Sequence, residues 1–266
     1  MKFGGKMMRM NPETDNRKQH DMNEVIDVCM LAGKLMLQNG AETYRVEDTM
    51  ARIAGAFGMS EAHSYVTPTA VLFSIEGAER TRLARVSDRT IRLDKVTQVN
   101  GISRNIASGD LTLEEARELL KQVESDRKSY PLWISSVTAG IASGCFLIMF
   151  GGIWADFLPA TVAGSLGYVT LIQAQRYTHI KFFSEFTASL LIGLLAALFV
   201  KAGAGMQFDK IVIGSVMPLV PGLLITNAVR DLIAGHLVSG LSKGAEAFLT
   251  AFAIGAGIAV VLNWFG

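Results

Sequence analysis

Asn227, Arg230 and Asp231 place an amide, a cation and an acid within little more than one helical turn. Asn227 and Asp231 lie four residues apart and share a helix face, and Arg230 lies three from Asn227 on much the same side. Such a face offers a cation for a carboxylate and an acid for a proton. Just upstream, "PLVPG" sets Pro218 and Pro221 three apart and follows them with Gly222. Neither proline can donate to the preceding turn, and each clashes with it. Two further polar groups, His236 and Glu246, lie close by in sequence. This set is a candidate site for a small carboxylate-bearing substrate, with Pro218, Pro221, Gly222, Asn227 and Arg230 as contacts. Asp231 and Glu246 are the candidate carriers of a coupling ion or proton.

A second polar cluster opens the chain's other candidate region, "NGAETYRVEDTM" at 39–50. Glu42, Arg45, Glu47 and Asp48 crowd one helix start. One reading is structural: acids favoured by the helix dipole, with Glu42 and Arg45 as an i,i+3 pair. The other makes Glu42 and Arg45 part of a regulatory or ion site. Arg230 and Asp231 also have a structural reading, as residues that end a helix at a membrane surface.

Other chemistries lack their residues. No glycine-rich loop ends in Lys-Ser/Thr, so nothing supports ATP-driven work. His20 and His63 have no partners at ligand spacing, so no metal is expected, and no cofactor motif occurs. No Ser-His, paired-Asp or metal-spaced His/Glu set falls in the apolar segments, so an enzyme is not expected. Net charge is +1, which gives no electrostatic reason to propose nucleic acid. Cys29 and Cys145 are read as small buried apolar side chains rather than a disulfide.

The elements that must position these residues fall into two unlike halves. Residues 1–130 hold nineteen Lys and Arg and nineteen Asp and Glu; residues 131–266 hold six and five. The predicted fold is an α+β cytoplasmic N-terminal domain followed by an all-α membrane bundle of five transmembrane helices. Residues 1–20 read as a disordered tail without the apolar core of a signal peptide. Residues 21–130 read as the α+β domain. From Asn23, the spacing of Val25, Val28, Cys29, Ala32, Leu35 and Met36 predicts a helix ended by Asn39-Gly40. Val46, Met50, Ile53, Ala54 and Phe57 predict a second, ended by Gly58. Residues 64–76 and 79–87 read as two strands joined by a turn at 77–78. Helices are expected at 92–107 and 112–127, the latter opened by a Thr112/Glu115 capping box.

In residues 131–266, five segments are long and apolar enough to cross lipid: 132–152, 154–173, 183–201, 210–229 and 244–265. Lys121, Arg127 and Lys128 precede the first, Arg176 and Lys181 follow the second, and Arg230 and Lys243 flank the gap after the fourth. These charges place the N-terminal domain in the cytoplasm and the C-terminus outside, although Lys201 and Lys210 flank an outer loop. Asp156, Gln173, His179 and Glu185 lie near span ends and read as interfacial. Gly140 and Gly144 on the first span, and the row Ala247, Ala251, Gly255 and Ala259 on the fifth, are expected to be close-packing faces. Broken backbone inside lipid must be buried in protein or line a watery cavity, and transporters use such breaks to bind solutes. A membrane-anchored ligand sensor or regulatory subunit, centred on the 39–50 segment, is the alternative.

"NGAETYRVE" in a soluble N-terminal domain, five spans after it, and "PLVPG…N…RD…G…G…K…EA" at 218–247 together resemble the bacterial threonine/serine exporter family, in its short form. The resemblance covers residues 22–266. It implies export of a small amino acid such as threonine or serine, or of a dicarboxylate such as succinate, driven by an ion or proton gradient across the inner membrane. Glu42, Pro218, Pro221, Gly222, Asn227, Asp231 and Glu246 match its motif positions. Longer members carry a second hydrophobic block. The resemblance therefore implies a separate small multi-span membrane protein as partner, in an oligomeric assembly.

Overall fold

The computed structural model describes residues 12–77, 81–127, 130–178 and 180–265. It divides the chain into two compact units. One runs to Arg127 and also takes in Asn227–Ser242; the other comprises Lys128–Thr226 and Lys243–Gly266.

In the first unit, α1 (Pro12–Gln38) buries Val25, Val28, Cys29, Ala32, Leu35 and Met36, the stripe that the spacing predicts. The helix begins at Pro12, inside the stretch expected to be a disordered tail. Proline is suited to a first helical position, where no N–H is needed. Residues 1–11 of that stretch lie outside the described residues. Asn39-Gly40 ends α1, with Gly40 at φ +93°. α2 (Thr43–Ala56) buries Val46, Met50, Ile53 and Ala54 against it.

The sheet departs from expectation. The run 64–76 is not one strand but a hairpin of β1 (Ala62–Thr67) and β2 (Ala70–Ile75), with Thr67 paired to Ala70 across Pro68-Thr69. Pro68 has no N–H to give a ladder and a fixed φ suited to turns, so it divides the run. β3 (Arg82–Arg85) pairs antiparallel with β2, giving the order β1-β2-β3. Gly77 turns with φ +83° after β2; the rest of that predicted turn lies outside the described residues. Val71, Phe73 and Ile75 of β2 point into the core. α3 (Leu93–Ala107) and α4 (Leu113–Ser125) complete this part of the unit. α4 has its capping box: Thr112 accepts from the Glu115 N–H and Glu115 accepts from the Thr112 N–H. Cys29 is buried and donates weakly to the Met50 carbonyl at 3.6 Å, and burial pushes its thiol up to about 12.

The second unit contains α5 (Leu132–Met149), α6 (Phe157–Thr178), α7 (Lys181–Lys201), α8 (Phe208–Val216), the first residues of α9 (Gly222–Ile233) and most of α10 (Leu237–Phe265). Segments Leu132–Met149, Trp154–Thr178, Phe182–Lys201 and Leu237–Phe265 are each long and apolar enough to cross a membrane. The fourth predicted span is not a single helix. Phe208–Leu219 and Gly222–Ile233 are bent by 63° at the break, so the spans number four, or five if the pair counts as one. The fifth begins at Leu237 rather than 244. These helices make the chain a multi-pass membrane protein.

Gly140 and Gly144 do face α6. A Cβ on Gly144 would sit 2.7 Å from the Thr161 hydroxyl and from the Phe157 ring. The row expected on α10 is a different matter: Ala247 is buried, but Ala251, Gly255 and Ala259 are exposed. The buried stripe is Lys243, Ala247, Thr250, Ile254, Gly257 and Val261, with Gly257 and Val261 against α7. Four-residue steps drift round a helix by about 40° each, whereas alternating steps of four and three stay on one seam. Cys145, read as buried, is exposed on α5. Asp156 is fully buried and accepts the Met206 and Gln207 N–H groups at 2.7 and 3.0 Å, fastening the start of α8.

Candidate functional site

The start of α2 has an unusual cap. Glu42 occupies the N-cap position with extended backbone but makes no side-chain cap. The first N–H groups of any helix lack internal acceptors, so they need one from elsewhere. Asp231 supplies it. Its Oδ1 accepts the Thr43 N–H at 3.0 Å and its Oδ2 accepts the Thr43 hydroxyl at 2.8 Å. The hydroxyls of Thr43 and Ser239 are also bonded to each other. With the Thr43 proton committed to Asp231, Ser239 is the donor in that pair. Asp231 and Thr43 are fully buried and Ser239 nearly so.

Two further links tie the same elements. The Asn227 amide donates to the Gly40 carbonyl at 3.0 Å. The Arg230 guanidinium pairs with Glu42 Oε1, while Arg45 Nε lies 3.0 Å from Glu42 Oε2. Glu42 is therefore bridged by two cations, one local and one 188 residues away. The Arg230 side chain keeps 53% of its exposure, so its ion pair is worth less than the buried Asp231 bonds. Glu47 accepts the Val66 N–H at 2.9 Å and lies 3.9 Å from His236 Nδ1. Burial pushes the Glu47 carboxyl above its ordinary value. The Val66 N–H and His236 pull it back, and Asp231 adds to the rise.

The α9–α10 turn presents these groups. His236 N–H bonds back to the Asp231 carbonyl at 2.8 Å and Gly235 takes φ +87°. Gly240 lets the first turn of α10 lie against α9: a Cβ there would sit 2.6 Å from Leu232 and 3.0 Å from the Ala228 carbonyl. α9 is thus inverted relative to a surface helix. Asn227, Ala228 and Asp231 are buried, while Leu223, Ile225, Val229, Leu232 and Ile233 are exposed.

The structure therefore joins Glu42, Arg45, Asn227, Arg230 and Asp231, which the sequence offers as two separate clusters. Thr43 and Ser239 complete the network and were not singled out. The uncapped helix start is the one signal that an outside acceptor was needed. Pro218, Pro221, Gly222 and Glu246 belong to the other unit. There the Val220 N–H reaches the Met217 carbonyl at 3.2 Å, and the Met217 N–H reaches the Gly214 carbonyl. The two carbonyls that the prolines deprive of donors thus find others in a tightened turn. Apart from the adjoining residues and the helix's own backbone, no atom of the described residues lies within 4 Å of where a Gly222 Cβ would be. Glu246 is partly buried on α10. Gln173 and Glu185 are partly and almost wholly buried, and His179 lies outside the described residues. Among the described residues no group of His, Cys, Asp and Glu could hold a metal ion.

The chain is 28% identical to the "Probable succinate transporter subunit YjjP" of Escherichia coli, over 91% of this chain and 95% of that protein. It is 22% identical to the "Probable threonine/serine exporter" of Mycobacterium tuberculosis, over 90% of this chain but 46% of that longer protein. A fungal relative, "Pheromone-regulated membrane protein 10" of Eremothecium gossypii, matches at 26% over 88% of this chain and 32% of its own length. No solved structure matches. The family described as "Putative threonine/serine exporter" matches residues 27–265, which takes in both polar motifs and all the apolar helices, and the chain belongs to that family.

Proposed function

We propose that this chain is one subunit of a secondary exporter for a small carboxylate-bearing solute, an amino acid such as threonine or serine or a dicarboxylate such as succinate. Efflux is coupled to a proton or ion gradient across the cytoplasmic membrane. One observation carries the reading: the polar end of a broken apolar helix is built into the domain that precedes the spans. Asp231, Arg230 and Asn227 are held by Thr43, Glu42 and Gly40. α9 runs continuously from that anchor back to Gly222 and the Pro218–Pro221 break. Movement at the anchor is thus transmitted by the chain itself to the proposed solute contacts. The sequence offers Asp231 and Glu246 for the coupling cation; of these Asp231 is already committed to the anchor, accepting both Thr43 groups.

The same anchor bears on topology. α8 and its following turn are nine and three residues long, about 18 Å against a hydrocarbon core of about 30 Å. α9 must complete the crossing. Since Asn227–Ser242 pack with the N-terminal domain, α10 starts on the domain's side. This favours a bent fifth crossing over a re-entrant loop. It supports a domain in the cytoplasm and a C-terminus outside, in agreement with the Lys and Arg distribution. The subunit name of the E. coli relative, and the longer mycobacterial exporter, support a second small multi-span membrane protein as partner.

The test is efflux of labelled succinate and threonine from vesicles holding the full chain, with and without its partner. Glu42→Gln and Arg230→Gln should each reduce flux, and the double variant should lose little more than the worse single one, because both act through the same pair. A chain that moves neither solute under any of these conditions is instead the ligand sensor or regulatory subunit.

A further inference from the structure

α7 and α10 share a seam in which one hydroxyl behaves unlike the others. A Cβ on Gly257 would lie 2.6 Å from the Phe186 carbonyl and 2.9 Å from the Leu190 nitrogen, and one on Gly193 would lie 2.9 Å from Val261. Residues 186–190 meet 257 and residue 193 meets 261, so the two helices run in the same direction. One turn before Ser189, on the same α7 stripe, stands Glu185, only 4% exposed. Two turns before Gly257, on the buried α10 stripe, stands Thr250, also 4% exposed. Helical side chains lean toward the N-terminus, so both reach toward the same end of the seam.

Ser136, Thr138, Ser143, Thr161, Thr170, Ser184, Thr187 and Ser189 all donate to a carbonyl of their own helix. The Thr250 hydroxyl is buried and makes no such bond. Asp156 and Asp231 hold backbone N–H groups at helix starts, so protonating either would loosen a helix end. Glu185 is the fifth residue of α7, inside a segment apolar enough to span. A buried ionisable group there is costly and marks ion or proton pathways. The other ionisable groups of the described residues on this end of the packed helices are Arg176 and Tyr177 in the last turn of α6, Tyr130 just before α5, and Lys243 and Glu246 on α10.

Resting on the exporter reading, we infer that Glu185 carries the coupling proton in the α7–α10 seam, and that the Thr250 hydroxyl, unbonded among the described residues and about one turn nearer the helix starts, is the group it engages in another state of the cycle. The carboxylate takes up a proton on one side of the transport cycle and releases it on the other, with no covalent change.

The experiment uses vesicles with the full chain and its partner, labelled succinate or threonine, and an imposed pH gradient. Glu185→Gln should lose stimulation by the gradient yet keep solute counterflow. Thr250→Val should shift the pH midpoint of flux. Where Glu185→Gln does not insert, Glu185→Asp takes its place: a shifted midpoint supports the assignment and an unchanged one overturns it. Retained gradient stimulation in Glu185→Gln, or a wild type driven by sodium rather than protons, also overturns it. A wild type without any flux removes the exporter reading, and this inference with it.

Discussion

Asp231 accepts both the backbone N–H and the hydroxyl of Thr43, two groups 188 residues away in the chain. A carboxylate here does what the N-cap residue Glu42 does not, and it does so while fully buried. Hydrogen bonds to a charged group are worth about 1.5–3 kcal/mol, and a stranded buried partner costs more. Thr43→Val should therefore lower the thermal stability of the detergent-solubilised protein, because Asp231 loses one donor. Asp231→Ala should lower it further, since the buried Thr43 N–H loses its acceptor as well. The double variant should fall short of the sum, as residues in one network do not add. Additive losses in a thermal unfolding cycle would show that the two residues act independently.

Glu47 gives a pH dependence with a definite sign. Its carboxyl is raised in the folded chain, mainly by burial, above the ordinary value of 4.5. The folded state therefore holds the proton more tightly than the unfolded state. The associated stability is fully present below 4.5 and is lost as pH rises through the raised value. Glu47→Gln cannot ionise and should not show this loss. The difference in melting temperature between wild type and Glu47→Gln should thus move against wild type as pH rises through that window. A pH-independent difference would mean that Glu47 titrates alike in both states.

How far these features were legible depends on the range of the interactions that produce them. The buried faces of α1 and α2 follow from residues three and four apart, and the structure places them as the spacing predicts. The apolar segments follow from composition, and the break at Pro218–Pro221 from covalent chemistry. The hairpin at Pro68-Thr69 was missed because β-branched residues on both sides masked a single proline. The pairing of Glu42 with Arg230 was out of reach. Charge and spacing describe each motif alone, and nothing local states which distant partner it meets. Thr43 and Ser239 gave still less, since hydroxyls occur everywhere. The α10 seam was misjudged for a geometric reason: an i,i+4 row of small residues looks continuous in sequence but winds off the contact line.

The broken span predicts where water reaches. Gly222 is exposed and Pro221 partly so, and among the described residues nothing beyond the local backbone lies within 4 Å of where a Gly222 Cβ would be. Broken backbone is tolerated at membrane depth only beside protein or water. Gly222→Cys should react with a membrane-impermeant thiol reagent, and added solute should slow the reaction. Leu219→Cys, buried at 5% exposure, should not react. A Gly222→Cys thiol that stays unreactive from both sides of the membrane would place lipid or a partner chain there instead of a solute path.

The two faces of α10 make opposite predictions from the same substitution. A leucine at 257 would have to displace the Phe186 carbonyl and the Leu190 backbone, which cannot move without shifting α7. Overpacking of this kind costs about 1–3 kcal/mol, and more where backbone is the obstacle. A Cβ at 255 meets no neighbouring helix within 4 Å among the described residues, and the position is exposed. Gly257→Leu should therefore lower the melting temperature and the yield of inserted protein, while Gly255→Leu leaves the isolated chain as stable as wild type. If the exposed row Ala251, Gly255 and Ala259 is where another membrane helix approaches, Gly255→Leu will instead reduce co-purification of the partner. Equal destabilisation by both substitutions in the isolated chain would mean that the seam of α10 runs through the small-residue row after all.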